Sequence, residues 1–283
     1  MILVPELPEV ETVVSGLRSR ILGYTIEKAE VTDEELLGNL EAKALKEKLE
    51  NRKITDIRRR GKYILIELDD NRLLTIHLRM TGKLLVRALG EETEHQRLSL
   101  VFREGVQLIM DNLRRFGTLD LLDSEEEEPL TSLGLEPFRD GYEWEEFREL
   151  FETTQAVKLI LLDQKKIAGL GNIYANEVLF RANLNPLTPG NKIGDEERKR
   201  LFKLIPKVLL EAIESNGTTF DTFRDSYGDP GNFQNFLRIY QKEGEPCPNC
   251  GSKIVKVKQS GRSTYYCPNC QNRTKQSSNT KMH

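Results

Sequence analysis

Cys247-Pro248-Asn249-Cys250 and Cys267-Pro268-Asn269-Cys270, with sixteen residues between them, decide how the end of this chain folds. Each Cys-x2-Cys pair presents two thiolates from one tight turn, and two such turns close the tetrahedron that structural zinc prefers. All four cysteines lie in the last 37 residues, and the preceding 246 contain none. A secreted disulfide scaffold would spread its cysteines through the fold, so this concentration points to a metal knuckle in a reducing compartment. With every ligand position taken by protein, no site is left for water, and the zinc is expected to be structural. Between the knuckles, Lys253–Gln259 and Arg262–Tyr266 read as two strands turning at Ser260-Gly261. Lys256, Lys258 and Arg262 on that hairpin suit contact with phosphates. The module alone implies only a segment that folds on metal and meets nucleic acid or protein.

Working backwards, the preceding stretch is helical. Trp144–Phe151, Ala156–Leu162, Asn172–Arg181 and Glu196–Ser215 are the predicted helices, with Pro186 and Pro189 punctuating a loop before the last. Further back the pattern changes. Thr25–Val31, Ile54–Leu68, Leu73–Arg87, Leu98–Phe102 and Val106–Met110 read as strands, and Lys43–Leu49 as a short helix among them. Val10, Val13, Val14, Leu17 and Ile21 recur at helical spacing before Gly23, predicting a first helix over about Pro8–Leu22. The class is α+β: an antiparallel β domain with flanking helices over 1–125, a connector over 126–148, a helical lobe over 149–240 and the cysteine module over 241–274. The polar tail 275–283 is expected to be disordered. Periodicity does not choose between a sandwich and a barrel.

Apolar residues make up 38% and charged residues 31%, a balance that fits a soluble globular protein and not a membrane protein. No apolar run approaches a membrane span, and the start lacks the pattern of a secretory signal. The net charge of −3 hides a strong asymmetry. Asp123–Glu152 holds twelve acidic and two basic residues, whereas Arg238–His283 holds nine basic and two acidic. One surface is built to meet an anion and another is not.

Pro5-Glu6-Leu7-Pro8-Glu9-Val10-Glu11 opens the first helix. A proline and acids in a first turn are ordinary helix-start chemistry, which accounts for Pro8, Glu9 and Glu11 but not for Pro5-Glu6. The segment resembles the N-terminus of formamidopyrimidine-DNA glycosylases. The resemblance continues through Arg60-Gly61-Lys62-Tyr63, His77-Leu78-Arg79-Met80-Thr81-Gly82 and Leu113-Arg114-Arg115-Phe116-Gly117. It resumes at Gly169-Leu170-Gly171-Asn172-Ile173-Tyr174-Ala175-Asn176-Glu177 and ends in Arg262-Ser263-Thr264-Tyr265-Tyr266-Cys267-Pro268-Asn269-Cys270-Gln271. These blocks occur in family order over nearly the whole chain.

The resemblance implies a β-sandwich lobe, then a helix–two-turn–helix lobe ending in a zinc ribbon, with duplex DNA containing oxidised bases as partner. It implies a monomer in the bacterial cytoplasm that removes 8-oxoguanine and formamidopyrimidines and cuts the strand by β,δ-elimination. Pro5 matches the amine nucleophile that forms a Schiff base with the sugar, and Glu6 the acid that opens the ring. Glu9 matches a further carboxylate, and Lys62 a lysine at the damaged nucleotide and its phosphate. Met80, Arg114 and Phe116 match residues that fill the space of a flipped base. Asn172 and Arg262 match phosphate-binding positions, and Cys247, Cys250, Cys267 and Cys270 the zinc ligands.

Three departures bear on these expectations. Met1–Val4 precede Pro5, and with them in place the Pro5 nitrogen is an amide that cannot form a Schiff base. The expectation is that Val4 is the true initiator, read from a GTG codon and removed; a chain that keeps the extension reads instead as a silent damaged-DNA-binding protein. The family's usual His-Asp-His is His95-Gln96-Arg97, leaving His95 for a phosphate. The lesion-capping loop reads Tyr227-Gly228-Asp229-Pro230-Gly231-Asn232-Phe233, a departure that bears on lesion preference. The rival is an endonuclease VIII-like enzyme for oxidised pyrimidines, and the Glu6-Leu7-Pro8-Glu9 start with the Arg114–Phe116 pair favours the purine branch.

Overall fold

A computed structural model describes residues 4–38, 41–220 and 223–272. The chain forms two compact units, one of residues 1–132 with 212–234, the other of residues 133–211 with 235–283.

The first unit is a β-sandwich. Strands β1 (Ile26–Val31), β6 (Gln96–Phe102), β7 (Val106–Asn112) and β5 (Gly82–Ala88) form one four-stranded sheet in the order β1-β6-β7-β5. Strands β2 (Ile54–Arg60), β3 (Tyr63–Leu68), β4 (Leu73–His77) and β8 (Thr118–Leu122) form the other in the order β2-β3-β4-β8, and every pairing in both sheets is antiparallel. Helix α1 (Leu7–Ile21) packs against β2, β3 and β5, and α2 (Ala42–Leu49) against β1. Val10, Val13, Val14, Leu17 and Ile21 share one buried core with Ile57, Ile64 and Ile76 of one sheet and Leu84, Leu100 and Met110 of the other. Helical spacing on α1 thus puts its valine and leucine stripe onto the residues that alternation turns inward on the strands.

Two predicted strands are each two strands. Ile54–Leu68 breaks at Gly61, where φ is +58°, and Leu73–Arg87 breaks after His77, with Arg79 at φ +51°. Strand β8 has no counterpart in the sequence reading; it is five residues long and becomes a strand through its pairing with β4. The segment 212–234, read from sequence as part of the helical lobe, packs with the sandwich: Phe223 joins its core, and the Ser226 carbonyl accepts from the Val86 N–H at 3.2 Å and from Arg20 at 3.1 Å.

The second unit contains α3 (Trp144–Glu149), α4 (Val157–Leu162), α5 (Asn172–Arg181) and most of α6 (Asp195–Glu214), followed by the hairpin β9 (Val255–Gln259) and β10 (Arg262–Tyr266). Helix α5 packs on both α4 and β10. Tyr174, Val178 and Phe180 of α5 and Ile160 and Leu161 of α4 are fully buried. The tail 275–283 lies outside the described residues. Among the described residues no helix is long and apolar enough to cross a membrane.

Candidate active site and metal centre

The head of α1 is an unusually polar interior. Pro5, Glu6 and Glu9 are all buried, the two carboxylates only 3% and 2% exposed. Glu6 caps the helix and Glu9 closes the reciprocal capping box, its Oε2 accepting the Glu6 N–H at 2.8 Å. The second oxygen of Glu9 accepts the Thr218 N–H at 2.7 Å, from a residue 209 positions away. One buried carboxylate therefore ties the Pro5-Glu6 segment to the loop after α6. Gly217 sits there at φ +75°, and a Cβ would stand 3.0 Å from Glu9 Oε1, so the approach needs glycine.

Lys62 lies half-buried in the β2–β3 turn. Arg59 fixes that turn, its Nη1 donating to the Gly61 carbonyl at 3.1 Å while its Nε donates to Glu11 of α1 at 2.9 Å. Next to the turn, His77 pairs with Tyr63 across β3 and β4, the two rings edge to face at 4.7 Å. Burial pushes the His77 pKa down to about 3, and the positive charges of Arg79 and Lys62 press the same way. His77 is therefore neutral at physiological pH. Its Nδ1 accepts the Arg79 N–H at 3.0 Å, which leaves the N–H on Nε2 as a donor. His77 was quoted in the sequence motif but given no role there; only its burial between two cations singles it out.

Met80, Arg114 and Phe116 come from two neighbouring loops, β4–β5 and β7–β8. Thr81 joins the loops: its Oγ1 accepts the Arg114 N–H at 3.0 Å and donates to Asn112 Oδ1 at 2.9 Å. Met80 is half-buried, while Arg114 and Phe116 stand exposed, the guanidinium 5.2 Å from the Phe116 ring centroid. The Phe116 ring is 52% exposed beside that cation. His95 is half-buried at the same corner, its carbonyl accepting the Asn112 N–H at 2.9 Å.

In the second unit, Asn172 is the first residue of α5, where the first-turn N–H groups have no helical acceptor. Asn176, one turn on, bonds the Asn172 carbonyl at 2.5 Å and accepts the Tyr265 N–H at 2.8 Å, joining the helix start to β10. Arg262 opens β10 and is exposed. Its hairpin is held by Lys158, a fully buried lysine of α4 that donates to the Ser263 carbonyl at 2.9 Å and to Thr264 Oγ1 at 2.7 Å. Glu177, also fully buried, accepts the N–H groups of Arg238, Ile239 and Tyr240 at 2.9 to 3.1 Å and fixes the chain leading to the ribbon. Neither anchor is legible from sequence, because a lysine or glutamate on a helix reads as a solvated face.

The four cysteine Sγ atoms lie within 4.8 Å of one another, with Cys247–Cys270 at 3.9 Å and Cys250–Cys267 at 3.5 Å. Thiolates around a tetrahedral zinc, with bonds of about 2.3 Å, stand about 3.8 Å apart. All four are free thiols, and the donor set fits one structural zinc.

Three family models match the chain in order. The formamidopyrimidine-DNA glycosylase N-terminal domain matches residues 4–119, the formamidopyrimidine-DNA glycosylase H2TH domain residues 133–224, and the zinc finger found in FPG and IleRS residues 244–273. Formamidopyrimidine-DNA glycosylase of Pelotomaculum thermopropionicum is 41% identical, over 94% of this chain and 99% of that protein. Among solved structures, Lactococcus lactis Fpg bound to abasic-site DNA has a TM-score of 0.88 at 37% identity, covering 95% of this chain and all of that one. The same protein bound to DNA containing an oxidised pyrimidine gives the same values. Thermus thermophilus MutM (Fpg) has a TM-score of 0.85 at 38% identity, over 94% of this chain and 98% of that one. With a buried Pro5-Glu6 helix head, paired loops carrying Arg114 and Phe116, and a four-thiol ribbon in family order, the chain belongs to the formamidopyrimidine-DNA glycosylase family.

Proposed function

We propose that the protein excises oxidised purines from duplex DNA through Pro5 and then cuts the strand at the abasic site, as a glycosylase and lyase of base excision repair. The observation that carries this reading is the buried Pro5-Glu6 pair at the positive end of α1, held by Glu9 from both sides. The amine of Pro5 adds to C1′ as the base leaves, and the sugar ring opens at O4′ with a proton from Glu6. The iminium so formed activates elimination of the 3′ and then the 5′ phosphate. The positive end of the helix favours the neutral, nucleophilic amine. Lys62 binds phosphate at the damaged nucleotide, His95 adds a weaker contact, and Asn172 and Arg262 are further phosphate-binding residues. Met80, Arg114 and Phe116 occupy the space of the extruded nucleotide, Arg114 toward the orphaned base. The zinc supplies no chemistry; the four thiolates hold the hairpin that carries Arg262. The reaction belongs in the cytoplasm, where DNA and reducing conditions coincide.

Pro5 needs a free secondary amine, so the test compares two N-termini. A chain beginning at Pro5, mixed with duplex containing 8-oxoguanine opposite cytosine, is trapped by borohydride as an adduct at Pro5. With residues 1–4 intact, no adduct forms. Glu6→Gln slows excision of the intact lesion and spares trapping at a preformed abasic site. Equal trapping by both chains sinks the proline mechanism, and trapping by neither favours a silent damage-binding protein. The oxidised-pyrimidine DNA bound by the L. lactis relative supports a second substrate class, tested by the same trapping with an oxidised pyrimidine in the duplex.

A further inference from the structure

Between Arg114 and Phe116 lies Arg115, a residue of the β7–β8 loop that faces the other way. Its backbone sits at φ +58°, a left-handed conformation that side chains other than glycine adopt only when the surroundings enforce it. The enforcing group is Asp33, two residues past the end of β1. The Arg115 guanidinium straddles the Asp33 carboxylate, Nε to Oδ2 at 2.6 Å and Nη2 to Oδ1 at 2.7 Å. Such two-pronged pairing fixes orientation as well as proximity. Asp33 is 3% exposed and is itself held, its Oδ1 accepting the Glu35 N–H at 3.2 Å. A second cation, Arg97 of β6, lies 3.6 Å from Asp33 and donates to the Asn112 carbonyl at 3.2 Å, at the last residue before the loop. At the loop's other end Gly117 is packed so closely that a Cβ would fall 2.4 Å from Met110 Cε and 2.5 Å from Asn112 Nδ2.

We propose that Asp33 is a positioning residue for base extrusion: by gripping Arg115 it holds the loop so that Arg114 and Phe116 project, already ordered, toward the duplex. The inference rests on the wedge reading of Arg114 and Phe116 given above. Arg115 reaches Asp33 while Arg114 lies over the Phe116 ring, and the buried carboxylate holds the left-handed residue in place. A wedge ordered in advance loses no conformational freedom when the base leaves the stack, so the latch acts on the extrusion step and not on the chemistry at C1′.

The test uses the full zinc-loaded chain beginning at Pro5, with Asp33→Asn and Arg115→Gln as variants. Single-turnover excision is measured for 8-oxoguanine paired with cytosine and for the same lesion opposite an abasic gap, where no base pair has to be opened. Each variant loses about tenfold on the paired lesion and less than about twofold opposite the gap. Combining either with Phe116→Ala costs no more than Phe116→Ala alone, because both act through one wedge. Equal losses on the two substrates, or additive losses with Phe116→Ala, overturn the proposal. A readout independent of activity is trypsin cleavage after Arg114 and Arg115, which Asp33→Asn accelerates while the thermal transition of the chain stays intact. Unchanged cleavage overturns the latch even if the enzyme is active. A parent chain inactive on both substrates overturns the functional reading, and with it the assigned consequence of the latch.

Discussion

Replacing Glu9 with glutamine tests the reading of the helix head with an almost isosteric change. The carboxylate accepts two backbone N–H groups, Glu6 at 2.8 Å and Thr218 at 2.7 Å, with only 2% of the residue exposed. Hydrogen bonds to an ionised partner contribute about 1.5–3 kcal/mol each. Glutamine offers one oxygen, so its NH2 must face the other N–H. One bond is lost and a buried donor is left without an acceptor, at a cost of about 2–4 kcal/mol. At about 2–4 °C per kcal/mol for a chain of this size, the melting transition falls by roughly 4–16 °C. Thermal unfolding at pH 7 followed by far-UV circular dichroism reads the loss. The single tryptophan, Trp144, lies in the second unit, so its fluorescence serves as the control and shifts less. Gly217→Ala, which drives a Cβ toward Glu9 Oε1, destabilises in the same direction. A Glu9→Gln loss under about 0.5 kcal/mol would refute the argument, since it would mean that the buried group is already neutral or that the two amides have other acceptors.

Four further outcomes are expected. Metal analysis of the purified chain gives close to one zinc, and Cys267→Ser loses the metal and DNA binding while the sandwich stays folded; an intact disulfide among these cysteines in native protein would contradict this. Binding to duplex DNA weakens steeply with salt, and Arg262→Ala lowers the slope of log K against log salt by about one while weakening damaged and undamaged DNA alike. Arg114→Ala changes the preference for the base opposite the lesion instead, and an unaltered slope for Arg262→Ala would remove its phosphate role. His77 has its folded pKa depressed to about 3, so its contribution to stability is complete above its unfolded value of about 6.5 and is lost as pH falls from there toward 3. His77→Asn keeps an acceptor for the Arg79 N–H and flattens the stability profile between about pH 6 and 4; a His77 imidazole resonance that titrates near 6.5 would show the burial argument to be wrong.

Local spacing in the sequence determines a good part of this molecule. The two Cys-x2-Cys pairs specify the knuckles because a tight turn is a property of a few adjacent residues, and the four Sγ atoms converge as that spacing requires. The stripe Val10, Val13, Val14, Leu17 and Ile21 specifies α1 because helical periodicity is written in neighbours three and four apart, and every one of these residues enters the core. Asn172–Arg181 is the same helix in sequence and structure. The breaks within the extended stretches were harder to read. Gly61 and Arg79 turn the chain inside stretches that read as single strands, and the residues at those breaks, Lys62 and Met80, are candidate site residues. Local preference yields there to backbone geometry set by the closing sheets.

Tertiary structure alone decided the rest. Thr218 meets Glu9 across 209 positions, and Asp33 meets Arg115 across 82. No periodicity records such pairs, because each depends on where two distant segments end up once the sheets have closed. The same holds for Lys158 and Glu177, charged residues on helices that bury completely against β10 and the approach to the ribbon. For a charged side chain, the difference between a solvated surface and a buried anchor lies in the partner brought by folding, and that partner is not among its neighbours in sequence.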